Sequence, residues 1–133
     1  MNISKSTDLA LLLLRLTFGG LMLLNHGLGK ADKLLNGDPT KFADPLGLGA
    51  PASLGLAVFA EVICAVLLVV GLFTRWASVP LIITMLVALF IVHGGDGLKE
   101  QESALLFLIP YLILAMKGGG WYSLDAQLLK KMR

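Results

Sequence analysis

The amino-acid sequence predicts an all-α membrane protein, a four-transmembrane-helix antiparallel bundle, on three observations. Hydrophobic residues occupy 56% of the 133 positions and charged residues only 15%. The mean hydropathy of +0.81 is well above what a soluble domain of this size needs. The apolar residues form four runs, and a bilayer-spanning helix takes about 20 apolar residues. Any chemistry must therefore lie in or beside the membrane.

The first predicted span covers about residues 9–27 and is interrupted only by Arg15. The amino end resembles the start of a signal peptide, but Arg15 breaks the apolar region and no small-residue cleavage site follows. We therefore interpret this segment as the first helix. Residues 30–53 contain three aspartates, three prolines and several glycines, which predicts one long irregular loop.

The remaining spans are predicted at about residues 54–73, 76–93 and 103–116. The second span is apolar except for Glu61, and the turn at Thr74 and Arg75 is so short that the second and third helices must be antiparallel neighbours. The short fourth span contains Pro110, which removes a helical hydrogen bond. The whole chain, residues 1–133, is thus predicted to form a single transmembrane domain.

The distribution of basic residues predicts the orientation in the membrane. One side would hold Lys5, Arg75, Lys117, Lys130, Lys131 and Arg133, and the other Lys30, Lys33, Lys41 and Lys99. By the positive-inside rule the side with more basic residues faces the cytoplasm, so both termini lie inside and the long loop faces outward. Trp76, Trp121 and Tyr122 then lie at the inner interface, where amphipathic rings are favoured.

Two ionisable residues, Arg15 and Glu61, fall inside predicted spans. A charge near the bilayer centre costs on the order of 2.5 to 3.5 kcal/mol, so each of these residues needs a partner or water. The second helix runs opposite to the first, which places both residues at similar depths. An Arg15–Glu61 ion pair is therefore geometrically plausible.

Further polar residues are predicted to converge on the outer side. At about 100° per residue, Arg15, His26 and Lys30 share one face of the first helix. His93 closes the third helix and Glu102 opens the fourth. This pattern predicts a polar pocket that opens outward. The candidate ligand-binding residues are Arg15, His26, Lys30, Glu61, His93 and Glu102, and the catalytic candidates among them are Glu61, His26 and His93.

Each candidate also has a purely structural explanation. The Arg15 side chain can extend to the headgroups, and Glu61 can form an ion pair or a protonated, hydrogen-bonded carboxyl that fixes helix packing. The histidines and Lys30 lie near helix ends, where solvated residues are common. Glu102 suits a helix amino terminus, where the dipole favours an acid. The residues alone leave the functional and structural interpretations open.

Charge and cysteine content exclude several classes of protein. The 11 Lys and Arg against 9 Asp and Glu give a net charge of +2, without the basic block that nucleic-acid binding needs. The single cysteine, Cys64, cannot form an intramolecular disulfide or a dithiol redox centre. The sequence contains no haem, flavin or metal motif. We expect no metal site and no nucleic-acid partner.

Three segments carry a family resemblance: LLLLRLTFGGLMLLNHGLGKADKLLNG, FAEVICAVLLVVGLFTRWAS and QESALLFLIPYLILAMKGGGWYSLDA. In order and spacing they resemble the DoxX family of small bacterial membrane proteins, over nearly the whole chain. One departure is the glycine triplet 118–120, where relatives often have Gly-Pro-Gly. The resemblance implies a multi-pass protein of the bacterial cytoplasmic (inner) membrane. It also implies a redox association, because relatives act as subunits of a thiosulfate:quinone oxidoreductase or associate with redox enzymes.

Three functions are compatible with the sequence. The first is a redox-associated subunit that binds a quinone or small reductant in the outward-facing pocket, where Arg15 and Lys30 hold an anion and Glu61 or a histidine handles protons. Such a chain has no redox cofactor of its own and needs a redox-enzyme partner, which leaves open whether it is an enzyme. The second is a non-enzymatic binding or assembly protein. The third is a small-solute or proton pathway, which requires a homo-oligomer because four short helices are few for a pore.

Overall fold

The computed structural model describes residues 3–132, and all the regular structure within that range is helical, with no strand. The helices are α1 (Ser4–Asn36), α2 (Ala50–Val70), α3 (Thr74–Val92), α4 (Leu98–Lys117) and α5 (Leu124–Lys131). The predicted all-α class is confirmed. Of the helices in this range, α1, α2 and α3 are long and apolar enough to cross a membrane.

Helix α4 differs from these three in its charges. It has 20 residues, but charged residues lie near both of its ends: Lys99, Glu100, Glu102 and Lys117. The uncharged stretch 103–116 rises only about 21 Å at 1.5 Å per residue, whereas a bilayer core is about 30 Å thick. The fourth predicted membrane span therefore stays a prediction.

The loop between α1 and α2 is shorter than the sequence indicated. Helix α1 continues through Asn36, because residues 30–36 contain good helix formers and Gly37 is the first residue that breaks the helix. Helix α2 begins at Ala50, with Pro51 in its first turn, where the missing N–H is not needed. The irregular segment is residues 37–49, which includes a short 3₁₀ turn at Pro39–Lys41.

Helices α1 and α2 are antiparallel and approach closely at two glycines of α1. Gly19 lies against Ala65 and Val69, and Gly27 lies against the backbone of Glu61. Small residues at such contacts let helix backbones approach, and this packing is what associates helices in a membrane. The approach at Gly27 is the tighter of the two, since an added Cβ would overlap the Glu61 carbonyl group.

Several turns of these helices are π-helical, including Leu23–Gly27 in α1 and Phe59–Cys64 in α2. A π-helical turn contains an extra residue and shifts all following side chains around the helix. After Met22, the next buried residue of α1 is therefore Gly27, five positions on, and His26 is only half-buried. Regular helical spacing predicts His26 at the buried position of this turn, whereas the structure places Gly27 there.

The carboxyl-terminal segment, residues 118–132, is hydrogen-bonded to the turn between α2 and α3. The Asp125 carboxylate accepts hydrogen bonds from the backbone N–H groups of Phe73 (2.7 Å) and Thr74 (2.9 Å), at the start of α3. The Asp125 N–H donates to the Gly71 carbonyl oxygen at 2.9 Å. Gly71 has φ +75°, which a glycine adopts readily. We call this end of the molecule the terminal end, and the end with residues 37–49 the loop end.

Replacing Gly27 with alanine is expected to lower the free energy of unfolding by about 1–3 kcal/mol, because the new methyl group would force α1 away from α2. Gly20→Ala is the matched control on the same helix, since no atom lies within 4 Å of its added Cβ. This variant should be neutral or slightly stabilising. Thermal unfolding in detergent micelles measures both, and equal Tm values would contradict the close approach at Gly27.

The loop end contains a pH-sensitive contact at Asp44. Its carboxylate accepts hydrogen bonds from the Ser53 hydroxyl (2.7 Å) and from the N–H groups of Leu48 and Gly49 (both 2.9 Å). These hydrogen bonds lower the pKa of Asp44 below its ordinary value of 3.8, and the bond from Ser53 has the largest effect. The contact therefore stabilises the loop above pH 3.8, and this contribution is lost as the pH falls through the lower folded-state value.

We expect the amide NMR signals of Leu48 and Gly49 to titrate together with a midpoint below pH 3.8 in a micelle sample. The Asp44→Asn variant is the control and should abolish this titration. A midpoint at or above pH 3.8 would show that the hydrogen bonds do not favour the ionised carboxylate.

Candidate functional site

A partly buried ion pair joins α1 and α2 toward the loop end. The Lys30 Nζ lies 2.7 Å from Glu61 Oε1 and 2.6 Å from Oε2. The Glu61 side chain is only 2% exposed, whereas that of Lys30 is 28% exposed. Both residues are held by the tight helix contact at Gly27, three positions before Lys30. The Glu61 carboxylate is thus held in the interior, and of the two charged groups only the Lys30 ammonium group reaches the surface.

The Arg15–Glu61 pair suggested by the sequence does not form. The Arg15 Nη1 donates to the backbone oxygens of Leu68 (3.4 Å) and Val69 (3.2 Å), and Nη2 donates to that of Tyr122. In the antiparallel register, Arg15 lies beside the carboxyl end of α2, whereas Glu61 lies beside Gly27 and Lys30.

The carbonyl groups at the carboxyl end of a helix lack intrahelical partners and carry partial negative charge. Buried Arg15 therefore supplies hydrogen-bond donors to backbone oxygens at the end of α2. Because it also donates to Tyr122, it connects α2 to the carboxyl-terminal segment. Its side chain is 1% exposed and does not extend to the headgroups.

The other candidate residues are dispersed rather than gathered at Glu61. The His26 ring packs edge-on against Phe107 of α4, with centroids 5.7 Å apart. The His93 Nδ1 lies 2.9 Å from the Asp96 carboxylate in the exposed turn before α4. Glu102 is exposed. Within residues 3–132, none of the three forms a hydrogen bond with Lys30 or Glu61, so the structure reduces the predicted cluster to one ion pair.

An apolar groove of about 460 Å³ lies beside this pair, between α2, α3 and the loop. Its lining includes Phe42, Pro45, Leu46, Leu56, Ala57, Phe59, Ala60, Pro80, Ile83, Val87 and Val92. Lys30 is the one charged residue among the described residues that line it. The other polar side chains, Ser53 and Thr84, donate their hydroxyl hydrogens to Asp44 and to the Pro80 carbonyl oxygen.

Sequence reasoning missed the walls of this groove. Phe42, Pro45 and Leu46 belong to the loop that was interpreted only as irregular, and they cover the groove at the loop end. Apolar residues in a loop of otherwise polar composition were a usable signal, because a solvated loop has little reason to contain them. Nothing in the sequence indicated that α3 lines the groove, because a helix that is apolar on all sides has no face that stands out in its sequence.

Comparison with known proteins places the chain among bacterial relatives. The DoxX family model matches residues 10–94, which include both residues of the ion pair. A Haemophilus influenzae protein with the name "uncharacterized protein" is 29% identical over 98% of this chain and 98% of its own length. A second H. influenzae protein of the same name is 32% identical over 69% of this chain and 64% of its own length. No solved structure matches. The predicted resemblance is confirmed: the chain belongs to the DoxX family.

Proposed function

We propose that this DoxX-family protein binds a quinone, or a similarly small reductant with carbonyl oxygens, in the groove beside Lys30, as a redox-associated subunit. One observation carries the proposal. The Lys30 ammonium group, held by a buried carboxylate, is the charged group on the wall of an otherwise mostly apolar groove of about 460 Å³. Ligand pockets are typically apolar clefts of about 300–1,000 Å³ with a few fixed polar groups.

The chemistry of a quinone fits this wall. Its ring is apolar and its carbonyl oxygens accept hydrogen bonds. An ammonium group has three N–H donors, and the two short contacts from Lys30 to Glu61 leave one for a ligand oxygen. The apolar side chains of α2 and α3 supply contacts for the ring.

Lys30 can also present a proton to the ligand oxygen. Its ammonium group lies at a position that the helix contact and the Glu61 carboxylate fix, and a positioned acid–base group is what reduction of a carbonyl oxygen requires. The sequence has one cysteine and no haem or flavin motif. We therefore propose that the electrons come from the redox centre of a partner protein.

The proposal includes a membrane arrangement with four spans. Helix α4 packs along α3 and is joined to α1 by the Tyr111 hydroxyl, which donates to the Phe18 carbonyl oxygen at 3.0 Å. We propose α4 as the fourth span, with lysine side chains at its ends extending to the headgroups. The terminal end then faces the cytoplasm and the loop end faces outward across a bacterial inner membrane, because more basic residues lie at the terminal end.

Substitutions at the groove test this function in full-length protein purified in mild detergent. We expect Lys30→Met to weaken binding of a short-chain ubiquinone more than tenfold, because a charge-assisted hydrogen bond is lost. Lys33→Met is the matched control, since Lys33 is an exposed lysine one turn further along α1 and does not line the groove. Equilibrium dialysis with chromatographic quantification of the quinone measures the affinity.

Lys30→Met also leaves Glu61 buried without its partner, which destabilises the helix contact. A second variant, Ala57→Leu, narrows the groove and leaves the ion pair intact. It should weaken quinone binding without a comparable loss of Tm. Unchanged quinone affinity in a folded Ala57→Leu protein would exclude the groove as the site. If the Lys30→Met protein also has a lower Tm but an unchanged quinone affinity, the ion pair has a structural role only. That result would favour the alternative of a non-enzymatic assembly protein.

A further inference from the structure

A second groove, of about 480 Å³, lies at the terminal end, far from Lys30 along the helices. It is bounded by the start of α3, the glycine triplet 118–120 and helix α5. The proposed quinone function does not involve any of its residues. Its composition differs from that of the first groove, because it combines cations, an interfacial aromatic residue and an apolar wall.

Two cations, Arg75 and Lys117, line this groove. Neither forms an ion pair or a side-chain hydrogen bond with another residue of the described chain. The Arg75 side chain lies over Gly118, where an added Cβ would come within 3.2 Å of Nε. The acidic residue in the lining, Asp125, already accepts two backbone hydrogen bonds from the start of α3. With two cations and one carboxylate in its lining, the groove has a net positive charge.

The remaining walls are suited to a lipid rather than to a free ion. Leu128, Leu129 and Met132 of the carboxyl-terminal segment line the groove and are exposed, and Trp76 on the opposite wall is 79% exposed. Tryptophan is favoured at headgroup level, with its ring against the acyl chains. Basic pockets between membrane helices are known to bind anionic lipid headgroups. Inorganic phosphate would use the cations but not the apolar walls.

We propose that this groove binds the phosphate headgroup of an anionic phospholipid, with Arg75 and Lys117 as the cationic contacts and Trp76 and α5 against its acyl chains. The phosphate oxygens accept from the guanidinium and ammonium groups, which are strong charge-assisted hydrogen bonds. The bound lipid thereby holds the start of α3 and the carboxyl-terminal helix together at the membrane surface.

The test is a titration of the full chain in mild nonionic detergent with short-chain phosphatidylglycerol. The two tryptophans of the chain, Trp76 and Trp121, both lie at this end, so their fluorescence reports the binding. We expect the Arg75→Ala/Lys117→Ala variant to weaken binding about 30-fold, since each basic residue near a lipid surface contributes about 1 kcal/mol. Lys130→Ala/Lys131→Ala is the matched control, because it removes two cations of α5 that do not line the groove.

Three comparisons decide the outcome. Equal losses in the two double variants would show general surface attraction and overturn the site. Equal affinity of the wild type for phosphatidylcholine, or displacement of phosphatidylglycerol by an equal concentration of inorganic phosphate, would overturn the anionic lipid.

Discussion

The close approach of α1 and α2 at Gly27 is the constraint on which the rest of the structure depends. Because Gly27 has no side chain, the backbone of α1 lies directly against that of Glu61. This contact sets the antiparallel register of the two helices and brings Lys30 within 2.7 Å of the Glu61 carboxylate. A carboxylate that is 2% exposed is strongly disfavoured unless it is paired and hydrogen-bonded. The buried carboxylate therefore depends on the glycine contact that brings its partner within reach.

The two ends of the molecule solve the problem of buried charge in different ways. At the loop end, opposite charges pair, and the ammonium group of Lys30 remains partly exposed beside an apolar groove. At the terminal end, Arg15 donates hydrogen bonds to backbone oxygens at the end of α2. Asp125 accepts hydrogen bonds from backbone N–H groups at the start of α3. Those charges complete hydrogen bonds that helix ends leave unmade. The first arrangement leaves one N–H donor of Lys30 without a contact to Glu61, and the second holds the chain segments together.

The register of α1 explains why the structure brings only two of the six predicted residues, Lys30 and Glu61, into contact. Regular helical spacing places Arg15, His26 and Lys30 on one face. The π-helical turns shift that face, so that Gly27 takes the buried position and His26 turns toward Phe107 of α4. The regular spacing of 3.6 residues per turn, on which the sequence prediction rests, does not anticipate such turns. The candidates Lys30 and Glu61 were identified from sequence, but their partnership was not.

The sequence by itself determined the class of the protein and which residues required explanation. Its hydropathy specifies apolar helices, its segments specify the DoxX family, and ionisable residues in apolar runs are conspicuous whatever the fold. The tertiary structure alone decided which partner each charge has. Arg15 and Lys30 are equally cationic in sequence, and only the glycine contacts and helix register place Lys30, and not Arg15, beside Glu61. Pairing depends on distances between helices, and the periodicity within one helix contains no information about its neighbour.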